Sequence, residues 1–148
     1  MKIYVDADAC PNPVKAILFK AALRAKCEVI LVANQSIFTP NNQFVSFRQV
    51  GRGPDAADDY IAEQTREGDI VITADVPLAD RVISNHGIAI NPRGFLYTKD
   101  NIKQRLGVRN LLESLRSSGV NTGGPKQLSN KDIHAFANIL DGCLSCSK

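Results

Sequence analysis

Residues 69–90 read DIVITADVPLADRVISNHGIAI. Asp69 to Thr73 is a short apolar, β-branched run of strand length. Pro77 stands where a helix begins, since proline is tolerated in a first turn, and the helical pattern runs to about Asn85. His86-Gly87 then turns the chain into Ile88-Ala89-Ile90, a further strand. A strand, a helix and a strand in that order form one crossover unit. Strands that are apolar throughout belong in a parallel sheet with both faces covered.

The same alternation extends upstream. Lys2 to Val5 is β-rich and stops at Asp6, and Pro11 and Pro13 precede a helix from Val14 to Ala25. In that helix Ile17, Leu18, Ala21, Ala22 and Ala25 recur at three- and four-residue spacing. Glu28 to Ala33 contains VILVA, a buried strand, and Asn34 to Asn42 reads as a loop. Phe44 to Val50 alternates as FVSFRQV until Gly51, Gly53 and Pro54 break it. A helix is predicted from about Asp55 to Arg66, ended by Gly68. The last third reads as helical, at about Lys99–Leu106, Val108–Ser117 and Asn130–Leu140, with a Gly- and Pro-containing stretch from Ser117 to Leu128. The expected fold is one α/β domain over residues 1–148. It has three α/β/α layers, a mainly parallel sheet and a helical C-terminal third.

Composition narrows the function classes. The 148 residues fit a single domain, and 44% hydrophobic residues supply a core. No apolar run approaches the roughly 18–20 residues that span a bilayer. The start turns acidic too early for a secretory signal, so a soluble cytoplasmic protein is expected. Cys10 and Cys27 are isolated and Cys143 and Cys146 form a single C-x-x-C, which suits free thiols better than a disulfide framework or a zinc site. His86 and His134 fall in no ligand or triad spacing. Ser36 has no histidine partner in the sequence, and no Gly-rich phosphate loop is present.

Charge points to an acidic site. Asp6, Asp8, Asp55, Asp58, Asp59, Asp75 and Asp80 fall in three short motifs. Setting those seven of the 15 acids aside leaves eight against 18 basic side chains. Such a remainder suits a polyanionic partner once the aspartates are neutralised. In an open parallel sheet, ligands bind at the carboxyl ends of the strands, where Asp6, Asp8 and Asp75 fall. Asp55, Asp58 and Asp59 share a helix face at i, i+3 and i+4. Crowded carboxylates demand a compensating cation, and hard oxygen donors select Mg²⁺ or Mn²⁺. Each residue also has a plain structural reading. Asp55 suits a helix N-terminus, Asp75 would cap the helix at Pro77, Asp59 would face solvent, and Asp80 reads as a surface charge beside Arg81.

The stretches VDADACP, GPDAADDYI, TADVPLA and NPRGFLYT, with the following NI…L and GGP…D, closely resemble the YaiI/YqxD family of small bacterial proteins. The likeness runs from residue 2 to about 140. That family looks like a branch of the PIN-like superfamily, whose members include metal-dependent ribonucleases. By position, the superfamily pattern falls on Asp6, on Asp58 in D-x-x-I-A, and on Asp75 in T-x-D. The chain departs from it where Val76 and Pro77 stand in place of another acid, and in the absence of any acid between Val14 and Ala25.

The expectation is a Mg²⁺- or Mn²⁺-dependent nuclease acting on RNA rather than DNA. Asp6, Asp58 and Asp75 form its catalytic core, with Asp8, Asp55 and Asp59 as further metal support. Arg48, Arg52, Arg93 and Lys126 are placed to contact phosphates. Two other readings stand beside it. One is a non-catalytic RNA- or protein-binding module that kept the acidic site. The other is a haloacid-dehalogenase-type phosphatase using the D-x-D of Asp6 and Asp8, although Cys10 and the absence of a clear motif lysine depart from that pattern.

Overall fold

The computed structural model describes residues 2–7, 10–35, 39, 42–51, 56–104 and 129–146. Strand β1 is Lys2–Asp6, followed by α1 Asn12–Ala25, β2 Glu28–Ala33, β3 Val45–Gln49, α2 Ala56–Gln64, β4 Ile70–Ile72, α3 Val76–Ser84, β5 Ile88–Asn91 and β6 Phe95–Leu96. Residues 99–104 are helical and are labelled α4. Helix α5 is Asn130–Cys146.

The six strands form one sheet in the order β3-β2-β1-β4-β5-β6. β1 to β5 are parallel and β6 is antiparallel to β5. Strand alternation divides the core into two layers. Ile3, Val5, Val29, Leu31, Ile70, Ile72 and Ile90 pack with Val14 and Leu18 of α1 and Phe136 and Leu140 of α5. On the opposite face Tyr4, Val32, Val71 and Ala89 pack with Ile61 and Ala62 of α2 and Leu78, Ala79 and Val82 of α3. The result is the expected three-layer α/β/α arrangement.

The local reasons are legible at the element ends. Pro11 is extended, and its carbonyl accepts from Val14 and Lys15 as α1 begins. Lys26 ends α1 in the left-handed region at φ 55, with its N–H donating to the Ala22 carbonyl. Helix α2 is shorter than the sequence suggests. It stops at Gln64, where the buried Thr65 hydroxyl donates to the Ile61 carbonyl at 2.6 Å. Gly68, expected as the helix cap, instead sits in the following turn at φ 86 and donates to the His86 carbonyl. The buried Asp69 carboxylate accepts from the backbone N–H groups of Arg66 at 3.0 Å and Lys2 at 3.1 Å, tying that turn to the start of β1.

Two further differences lie toward the C-terminus. Strand β6 is too short to register as a hydrophobic period, and only its pairing with β5 reveals it. Helix α5 runs past Leu140 to Cys146 because Phe136, Leu140 and Leu144 continue one buried stripe. The predicted helix Val108–Ser117 lies outside the described residues, as do residues 117–128. Among the described residues no helix is long and apolar enough to cross a membrane.

Candidate functional site

The chain moves outward from β1 through β2 and β3, then crosses back by α2 to β4 on the other side of β1. The reversal places a crevice at the carboxyl ends of β1 and β4, the position where open parallel sheets bind ligands. Asp6 ends β1, and Thr73 and Asp75 follow β4 directly.

Alternation decides which way these residues face. Tyr4 and Val71 belong to the layer under α2 and α3. Asp6 and Thr73, each two residues further on, project to the same side. The register pairs Val5 with Ile72 and Ile72 with Ile90. Asp6, Thr73 and Asn91 therefore form a transverse polar row across β1, β4 and β5. The Thr73 hydroxyl, 1% exposed, donates to Asp6 Oδ2 at 3.4 Å and accepts from the Asp75 backbone N–H at 3.0 Å. One buried hydroxyl thus joins two of the aspartates picked out by the sequence. Asp75 also caps α3, its Oδ1 accepting from the Leu78 N–H at 3.0 Å. The capping role weighed from the sequence is therefore real.

Asp58 reaches the same end through helix geometry. It lies three and four residues before Ile61 and Ala62, which are buried in the layer containing Tyr4. The three residues share the sheet-facing side of α2. One helical turn moves Asp58 about 5.4 Å toward the N-terminus of α2. Two strand residues carry Asp6 about 6.6 Å beyond Tyr4 in the same direction. The first turn of α2 holds Asp58 and Asp59, where the helix dipole favours negative charge.

The other candidates divide. Asp59 turns toward α3 and pairs with Arg81 at 2.8 Å, an exposed brace between the two helices. Asp80 lies in a shallow groove on that outer surface with Glu63, Arg81 and Asn85. Arg48 is exposed on β3, at the edge of the sheet. Arg93 is held at the end of β5 by Asp132 of α5, at 3.4 Å. Asp8, Arg52, Asp55 and Lys126 lie outside the described residues, as does Ser36. His86 serves a turn, at φ 65, and His134 is exposed on α5.

Asn91 and Tyr97 belong to this polar end and were not singled out from the sequence. Asn91 Nδ2 donates to the Tyr97 hydroxyl at 2.8 Å, and Asn91 Oδ1 accepts from the Arg93 N–H at 2.7 Å. Both residues stand in NPRGFLYT, but their shared role depends on which face of β5 meets Thr73. Cys10 is buried in the α1 layer, near enough to Asp6 to feel its charge. Burial pushes its thiol up to about 12, with Lys15 opposing the rise and Asp6 adding to it. It is a neutral neighbour at ordinary pH rather than a thiolate ligand. Among the described residues, no group of three or more His, Cys, Asp or Glu side chains is arranged to hold a metal ion.

The motifs at this end of the sheet are those of a known family. A family profile described as "Uncharacterized BCR, YaiI/YqxD family" matches residues 4–146. The chain belongs to the YaiI/YqxD family. A UPF0178 protein of Marinomonas sp. is 54% identical over 145 residues, covering 98% of this chain and 97% of its own. Another from Colwellia psychrerythraea is 55% identical over 141 residues, covering 95% of this chain and 93% of its own. A third from Pectobacterium atrosepticum is 51% identical over 141 residues, covering 95% and 94%. No solved structure matches the chain. The span of the YaiI/YqxD profile, residues 4–146, includes Asp6, Asp58 and Asp75.

Proposed function

We propose that this YaiI/YqxD protein is a Mg²⁺- or Mn²⁺-dependent phosphodiesterase acting on RNA, with Asp6, Asp58 and Asp75 as its acidic site and one or two of these carboxylates holding the ion directly. The observation that supports this is the Thr73 hydroxyl, which joins the Asp6 carboxylate to the Asp75 backbone at the switch point of the sheet. The donors are all oxygens, as a hard cation requires. Mg²⁺ keeps several waters and takes only one or two protein carboxylates, so it does not need a three-carboxylate cage. Asp75 spends Oδ1 on the α3 cap and retains Oδ2 for an ion. A bound ion would activate a water and offset charge on the phosphate.

The chain's own residues do the positioning. Thr73 holds one Asp6 oxygen in a hydrogen bond, α2 presents Asp58 from its first turn, and Asp75 is fixed by its place at the start of α3. Asp8 and Asp55 stand near Asp6 and Asp58 in sequence and, with Asp59, belong to the expected ligand set, of which Asp59 pairs instead with Arg81. Cleavage of a single-stranded RNA should require added Mn²⁺ or Mg²⁺ and should be lost in Asp6→Asn and Asp75→Asn. Cleavage that persists in EDTA, or full activity in Asp75→Asn, would overturn the proposal.

A second reading is a non-catalytic RNA-binding module. It is favoured by the lack of a three-group metal cluster among the described residues, and by Val76 and Pro77 standing where a further acid would sit. Its signature is RNA binding without cleavage, with affinity unchanged in Asp75→Asn.

A further inference from the structure

Residues 91–94, Asn-Pro-Arg-Gly, turn the chain from β5 into β6 at the same sheet end as Asp6 and Asp75. The turn is unusually well held. Asn91 Oδ1 accepts from the Arg93 N–H at 2.7 Å, and the Asn91 carbonyl accepts from the Gly94 N–H at 2.9 Å. Gly94 lies against α5 so closely that an added Cβ would fall 2.5 Å from Ala135 Cβ and 2.6 Å from the Phe136 nitrogen. The adjoining strand is fixed as well, since the Thr73 N–H donates to the Ile90 carbonyl at 3.0 Å. Arg93 is therefore pre-positioned in the turn after β5, at the sheet end where Asp6 and Asp75 lie, with its guanidinium drawn toward α5.

Among the described residues its guanidinium meets one carboxylate, Asp132, in a 3.4 Å contact, with both side chains about a third exposed. Asp132 has a second partner. Its Oδ2 also accepts from the Ser129 N–H at 3.2 Å, while the Ser129 hydroxyl accepts from the Asp132 N–H at 3.2 Å. This reciprocal capping box starts α5 whether or not Arg93 is present. An arginine at the same end of the sheet as the aspartates, held on the α5 side by a carboxylate with its own separate role, is a cation that can exchange partners. Guanidinium groups bind phosphate in the same forked geometry as carboxylate.

We infer that Arg93 is an anchor for the phosphate backbone of single-stranded nucleic acid, and that Asp132 occupies it in the free protein as an intramolecular competitor. The inference rests on the nucleic-acid reading of the site, but its test needs no cleavage. Binding of a fluorescein-labelled oligo(U) is measured by anisotropy in EDTA across a salt series, for wild type, Asp132→Asn, Arg93→Gln and the double variant. Asparagine still offers an oxygen to the Ser129 N–H, so α5 keeps its start, and thermal melting checks that each variant is folded.

Asp132→Asn should bind roughly two- to fivefold more tightly, the range of one exposed ion pair. Arg93→Gln should bind more weakly, and its slope of log affinity against log salt should fall by about 0.7, the value for one phosphate contact on a single strand. In the double variant the gain from Asp132→Asn should vanish. An equal gain in the Arg93→Gln background, or an unchanged salt slope in Arg93→Gln, overturns the inference while leaving nucleic-acid binding itself intact. If Asp132→Asn fails to fold, the Arg93→Gln slope still decides. Absence of any oligo(U) binding by the wild type overturns both this inference and the RNA reading beneath it.

Discussion

Asp75 caps α3 and is also the proposed metal ligand, and paired substitutions separate the two. Asp75→Ala removes the Oδ1 acceptor for the Leu78 N–H, and loss of such a cap should lower stability by about 1 kcal/mol in urea unfolding. Asp75→Asn keeps an acceptor there and should unfold within a few tenths of a kcal/mol of wild type, yet lose metal-dependent cleavage. If Asp75→Asn is fully active, Asp75 is a cap and nothing more. Cys10 supplies a pH test. Its folded thiol is raised from 9.0 to about 12 by burial. Below pH 9 both states hold the proton and the contribution to stability is whole. From pH 9 towards 12 only the unfolded chain ionises, so stability falls as pH rises. Cys10→Ala should flatten that part of the stability–pH curve, and an unchanged slope would contradict the assignment. Gly94 combines φ 92 with contacts under 3 Å from a would-be Cβ to α5 backbone. Gly94→Ala should cost more than about 1 kcal/mol in the same unfolding measurement, since positive φ and overpacking add. The TADVPLA motif made the Asp75 cap legible, whereas nothing in the sequence told that Thr73 would face Asp6 rather than the opposite layer.

Helices α3, α4 and α5 each begin with a polar cap that the sequence spells out. Thr98 and Asn101 exchange backbone and side-chain hydrogen bonds at 2.8 and 3.1 Å at the start of α4, as Ser129 and Asp132 do at α5. Ser129→Ala should cost about 1 kcal/mol in unfolding and should loosen the docking of α5 on the Asn91–Gly94 turn, read as faster amide exchange at Gly94. Exchange unchanged at Gly94 would show that packing alone holds the turn. Helix α5 also shows where local pattern falls short. Asp141-Gly142 looks like a stop, and a helical glycine costs about 1 kcal/mol relative to alanine. Burial of Leu144 and the Arg24–Asp141 ion pair with α1 carry the helix through. Strand β6 failed to register for the opposite reason. Two residues have no period, and their strand character exists only through the pairing with Ile90 and Asn91.

At the scale of the molecule, the sheet order brings together residues from opposite ends of the first ninety. Metal binding at that convergence should raise the melting temperature with Mn²⁺, and a ligand at a hundred times its dissociation constant stabilises by about 2.7 kcal/mol. Asp58→Asn should show a smaller rise, and without metal it should melt at or above wild type because one like charge has gone. No Mn²⁺ shift in the wild type would remove the ion from the account. The sequence by itself determined the alternation of strands and helices, the buried character of each strand and the presence of aspartates at two strand ends. Those features follow from local periodicity and from the residues that interrupt it. Only the tertiary structure decided that β4 lies beside β1, that Thr73 bridges Asp6 and Asp75, that Asp59 turns away to Arg81, and that Arg93 is held against Asp132. Strand order and facing direction are set by how two apolar layers close on both sides of one sheet, a property of the whole chain that no window of residues contains.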